Sequence, residues 1–212
     1  MIAPSVHTLQ IMLNICETEL SWLEMRINVN KSVCMRFGQR FSIQCANLIT
    51  DSGDELKWVE ECRYLGVYLV SARQFKCSWH NAKCAYYLAF NAICGRLGRS
   101  ASSEVVLHLL RSKCIPVLLY GLDACPINAT DFKSLQRPIT NIFMKMVATK
   151  SAEVVTECQQ AFGFQPIRNQ INYRKIKFLN RYVTSHNGIC TIACNQCAVN
   201  VIQYLIAERP NV

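Results

Sequence analysis

The hydrophobic period of this chain turns from strand-like to helical near residues 71–75, where charge changes too, and that switch constrains the fold more than any single motif. Before it, short runs of β-branched and aromatic residues are separated by turn-forming clusters, after one leading helical stretch. Beyond it, apolar residues recur at intervals of three and four. A chain of 212 residues with such a switch forms one domain, or two small ones sharing a core. The expected class is α+β: a long helix with a small antiparallel sheet, then a run of helices.

The local signals fill in this outline. Ser5 is expected to cap a helix whose apolar stripe is Val6, Leu9, Leu13, Cys16, Leu20 and Leu23, with Glu17 and Glu24 facing water. Strands are expected over 33–37, 42–50, 56–59 and 64–69, with 51–54 as a hairpin turn. After Ser71 a helical stripe runs through Trp79, Ala82, Tyr86, Ala89, Phe90, Ile93 and Leu97, and Gly98 is its natural stop. Further helices are expected from Ser102 toward Pro116, which should end or kink its helix. Others run from Thr130-Asp131 through Met146, over 151–163 and over 166–185. The segments are then 1–72, 73–188 and an unassigned tail, 189–212.

Charge changes with the period. Residues 1–62 hold five Lys/Arg against eight Asp/Glu; residues 63–150 hold twelve against three; residues 151–212 hold six against three. A basic segment of this kind points to a polyanion such as RNA or DNA, or else to a surface kept basic for solubility. Arg73, Lys76, His80 and Lys83 recur at helical spacing and are the candidate phosphate contacts; the alternative is a solvated helix face. No apolar run reaches the ~18–20 residues of a membrane span, so an intracellular chain, nuclear or cytoplasmic, is expected. The 13 cysteines are scattered, which fits reduced thiols acting as small hydrophobes.

Other constellations carry less. Asp51, Asp54 and Glu55 are the tight acidic cluster, and they read as a solvated turn rather than a metal site. His186, Cys190, Cys194 and Cys197 are spaced like one helix face, which cannot wrap four ligands around a zinc ion. No Gly-rich phosphate loop and no Ser-His-Asp set is present. No cofactor is expected in this chain.

Three short motifs, in order, carry a resemblance. Arg26-Ile27-Asn28-Val29-Asn30-Lys31-Ser32, Arg63-Tyr64-Leu65-Gly66-Val67 and Pro116-Val117-Leu118-Leu119-Tyr120-Gly121-Leu122-Asp123 resemble the end of the palm and the thumb of non-LTR retrotransposon reverse transcriptases. Asp123 stands where that family usually has Glu. The resemblance covers roughly residues 3–190. It implies a partial polymerase palm followed by a helical thumb that binds RNA or DNA. It makes Tyr64, Leu65 and Gly66 a primer grip, beside the plainer reading of a strand with a bulge glycine. It makes Lys31 a candidate general acid, beside the plainer reading of a surface lysine. The family's aromatic-x-Asp-Asp turn, which seats Mg2+ in the intact enzymes, would fall just before Met1. No catalytic carboxylate is assigned here, and a polymerase fragment inactive by itself is expected. The other reading is a non-enzymatic helical module that binds nucleic acid or protein.

Overall fold

A computed structural model of the chain describes residues 1–97, 102–193 and 196–207, in two units, Met1–Ser78 and Trp79–Val212. The fold is α+β, as its patterning predicts. The expected stop at Gly98 lies outside the described residues, as do Cys194 and the side chain of Cys197 in the histidine–cysteine series.

In the first unit, the Ser5 hydroxyl accepts from the Thr8 amide and starts α1 (Val6–Trp22). Leu13 is fully buried and packs with Cys34, Leu48 and Leu56, flanked by Val6, Leu9, Ile27, Val29 and Trp58. Cys16 and Leu20 continue the stripe half-buried, and Leu23, just past the helix end, is exposed. Glu17 does not simply face water: it is half-buried and accepts from the Asp51 amide at 3.1 Å.

Two three-stranded sheets follow. In the first, β3 (Glu55–Trp58) lies between β1 (Val33–Cys34), which is parallel to it, and β2 (Leu48–Ile49), which is antiparallel. The turn over 50–54 closes the β2–β3 hairpin as expected, with the Thr50 amide donating to the Asp54 carbonyl at 2.9 Å. The strand expected over 42–50 shrinks to two residues. Side chains take its carbonyls instead: Arg36 donates to Arg40 and Ile43, and Trp58 Nε1 to Ala46. Gln10 from α1 binds both backbone groups of Ile49, at 2.7 and 2.9 Å, and so closes the β2 edge at that residue.

The second sheet is β4 (Glu61–Tyr64), β5 (Val67–Val70) and β6 (Lys76–Ser78), antiparallel throughout with β5 central. The fourth expected strand is therefore corrected twice. Tyr64 ends one strand, Leu65-Gly66 is the turn, and Val67 starts the next. The helical period does not begin at Ser71 either, because Lys76, Cys77 and Ser78 pair with Val70, Leu69 and Tyr68.

The second unit is helical: α2 (His80–Leu97), α3 (Ser103–Leu109), α4 (Ile115–Leu118), α5 (Ala129–Val147), α6 (Ala152–Ala161), α7 (Ile167–Val183), α8 (Gly188–Ala193) and α9 (Gln196–Ala207). Ser102, Asn128 and Ser151 cap α3, α5 and α6; the Asn128 and Asp131 side chains form a reciprocal capping box. Between α3 and α4 the chain widens into a π-helical turn, Leu110–Cys114. Pro116 has no N–H to offer and crowds the preceding turn, which accounts for the register change. The core is built on Tyr86, Phe90, Leu110, Leu118, Leu135, Ile139, Ile142 and Phe143, and Phe143 meets Phe164 edge-on at 5.1 Å. The tail joins this unit, since α9 packs on α7.

Candidate nucleic-acid interface

Residues directly opposite in an antiparallel sheet share a face. On one face of the second sheet, Glu61, Val70 and Lys76 form one row; Arg63, Tyr68 and Ser78 form the next. Arg63 and Lys76 are exposed, and the Arg63 guanidinium lies 6.0 Å from the Tyr68 ring centroid. Two cations and an aromatic ring thus share one small surface, with Glu61 at its corner. Cys62, Leu69 and Cys77 occupy the opposite face, where Cys77 is buried. Burial, and then the neighbouring Glu61, push the Cys62 thiol up from its ordinary range.

The hairpin that ends this sheet carries the tyrosine–leucine–glycine motif. Tyr64 pairs with Val67, leaving a two-residue loop. Leu65 has φ 47° and Gly66 φ 83°, the positive pair a type I′ turn demands. Glycine meets that demand without strain, whereas leucine does not. Tyr64 and Leu65 are 63% and 74% exposed, so the turn presents two large side chains to solvent at its tip. Arg73 is exposed in the β5–β6 loop, close in sequence to Phe75, whose ring lies 5.3 Å from that of Phe37.

The basic stripe expected on one helix does not form. Arg73 and Lys76 precede α2, in the loop and strand of the first unit, while His80 and Lys83 open the helix of the second. Lys83 Nζ donates to Ser134 Oγ at 2.7 Å, and Asn141 donates to the Tyr87 hydroxyl at 3.1 Å. Both contacts tie α2 to α5. His80 is exposed and its Nε2 lies 3.6 Å from Cys84 Sγ. Lys31 is exposed in a turn whose backbone is held by Asn28. Arg63, quoted only as part of a motif, and Tyr68 were not among the candidate site residues of the sequence. Their one signal was alternation across a hairpin, which appears only once Leu65-Gly66 is read as the turn.

Two residues of the acidic cluster have partners close by. Ser52 Oγ donates to Asp54 at 2.9 Å and Asn47 to Glu55 at 2.7 Å, which ties these carboxylates into their own hairpin. Among the described residues, no group of three or more His, Cys, Asp or Glu is placed to hold a metal ion. Comparison with known protein families, with curated proteins and with solved structures finds no match to this chain. Among the described residues, no helix is long and apolar enough to cross a membrane.

Proposed function

We propose that this chain binds RNA or DNA without base preference, and that it is a piece of a non-LTR reverse transcriptase: the end of the palm and the thumb, without polymerase activity of its own. The observation that carries the binding is the sheet face with Arg63 over Tyr68 beside Lys76. Cations there neutralise phosphates, and an aromatic ring offers a base a stacking surface. The strained, exposed tip at Tyr64-Leu65 supports the primer-grip role implied by the resemblance, since strain kept at an exposed site favours a use for it. Outside Arg63, Lys76 and Glu61 the first unit holds six Lys/Arg against seven Asp/Glu, so its net charge does not draw a polyanion to this face; fifteen against six lie in the helical unit. No step of nucleotide addition is assigned to this chain.

The test is a mobility shift with labelled single-stranded RNA and DNA of mixed sequence at low salt. Both should shift. Tyr68→Ala should weaken binding by ~1–3 kcal/mol, the worth of one base–aromatic stack. A chain that shifts neither strand at low salt, or a Tyr68→Ala protein that binds as the parent does, would count against the interface. Nucleotide incorporation on a primed RNA by the purified chain would overturn the silent-fragment reading.

A further inference from the structure

A second cationic surface lies wholly within the helical unit. The groove between α5 and the start of α7 encloses about 360 Å3, at the lower end of the ~300–1,000 Å3 usual for small-molecule sites. Lys133, Arg137 and Arg168 line it, and no carboxylate does. Lys133 and Arg137 stand one turn apart on α5, are exposed, and have no hydrogen-bond or ion-pair partner among the described residues. Like charges at that spacing repel, a cost an anion would relieve. The Arg168 guanidinium lies 4.6 Å from the Phe132 ring centroid, a cation–π contact that holds it at the groove wall. Gln136 adds an amide, held only by a long 3.5 Å contact to Thr140. The N-cap of α7 is Pro166, which supplies no side-chain cap, so the partial positive charge of that helix start adds to the same side. Phe132, Pro166 and Ile167 give the groove an apolar part beside its cations.

We propose that this groove binds the phosphate of a nucleotide-sized ligand, with the base or sugar resting on the apolar part. The groove is built from residues of the helical unit alone, and the sheet face from residues of the other unit. The phosphate belongs either to a free nucleotide or to one unit of a strand.

The experiment is calorimetric titration of the full chain with adenosine monophosphate and, separately, with a short oligodeoxythymidine lacking terminal phosphate. The parent is compared with a Lys133→Ala/Arg137→Ala double variant and with Arg168→Lys. Both α5 positions are exposed, so the double variant should melt no lower than the parent. Adenosine monophosphate should bind the parent and bind the double variant about tenfold more weakly or less, the effect of losing one or more charge-assisted hydrogen bonds. Arg168→Lys should weaken it as well, because lysine cannot present a planar fork. If the oligonucleotide alone binds and weakens equally, the phosphate is that of a strand and the site stands. If the parent binds neither ligand, or the double variant binds both as the parent does, the site is refuted. Variants of the sheet face leave this result unchanged, so the two interfaces fail independently.

Discussion

Leu65 is the residue at which local chemistry and local geometry disagree most openly. Its φ of 47° is a conformation that costs a non-glycine residue ~1–2 kcal/mol, yet its side chain is 74% exposed and buries little in return. Leu65→Asn should therefore raise stability by ~1 kcal/mol, because asparagine tolerates that backbone. Gly66→Ala should lower it by ~1 kcal/mol or more. Urea titrations of both variants check the turn assignment; equal stability in all three proteins would refute it. Gln10 makes a different point. It gives Ile49 two hydrogen bonds that a neighbouring strand would otherwise make. Nothing in its sequence context announced this, since the contact joins residues far apart in the chain. The same holds for Arg36, whose guanidinium replaces a ladder for the 40–43 carbonyls.

Helices were legible because their signals are local. The 3.6-residue stripe and the caps at Ser5, Ser102 and Ser151 are written within a few residues of where they act. The start of α5 was read one position late, at Thr130 where the helix begins at Ala129, capped by Asn128. Asn128→Ala should cost ~1 kcal/mol and lower the thermal midpoint followed by circular dichroism. Strands were less legible, because their boundaries depend on partners chosen elsewhere in the chain. Lys76 shows the consequence for the candidate site. Its spacing to His80 and Lys83 mimics a helix face, but pairing with Val70 makes it a strand residue. Lys83, a candidate phosphate ligand in the sequence, has a partner within the helical unit. Pro138 has no N–H for the carbonyl of Ser134 four residues earlier, and at that turn Lys83 reaches the Ser134 hydroxyl. Lys83→Ala should destabilise the helical unit by ~1 kcal/mol in urea while leaving nucleic-acid affinity unchanged. A loss of affinity without a loss of stability would restore it to the interface.

For the whole molecule, charge and titration set the behaviour. Burial raises the thiols of Cys34, Cys62 and Cys114 above their ordinary value of 9.0, with further pushes from Cys45, Glu61 and Cys94 respectively. Burial also raises the Tyr86 phenol, whose hydroxyl has no hydrogen-bond partner among the described residues. Each group is held neutral in the folded chain and ionises sooner in the unfolded one. Their contribution is intact below the unfolded thiol range and is lost as pH rises through the shifted values. Urea midpoints should be flat from about pH 7 to 8 and fall progressively above about pH 9. A rise in stability above pH 9 would contradict the burial of these groups. The net charge, meanwhile, belongs entirely to the helical unit, while the candidate face lies on the sheet unit, whose charges balance. Local geometry, and not net charge, must then carry that part of the binding. The direct measurement is the slope of log affinity against log salt for single-stranded RNA, parent against Arg63→Ala/Lys76→Ala. The slope should become shallower by about one to two, close to one released counterion per cation removed. An identical slope in the two proteins would mean that the sheet face touches no phosphate.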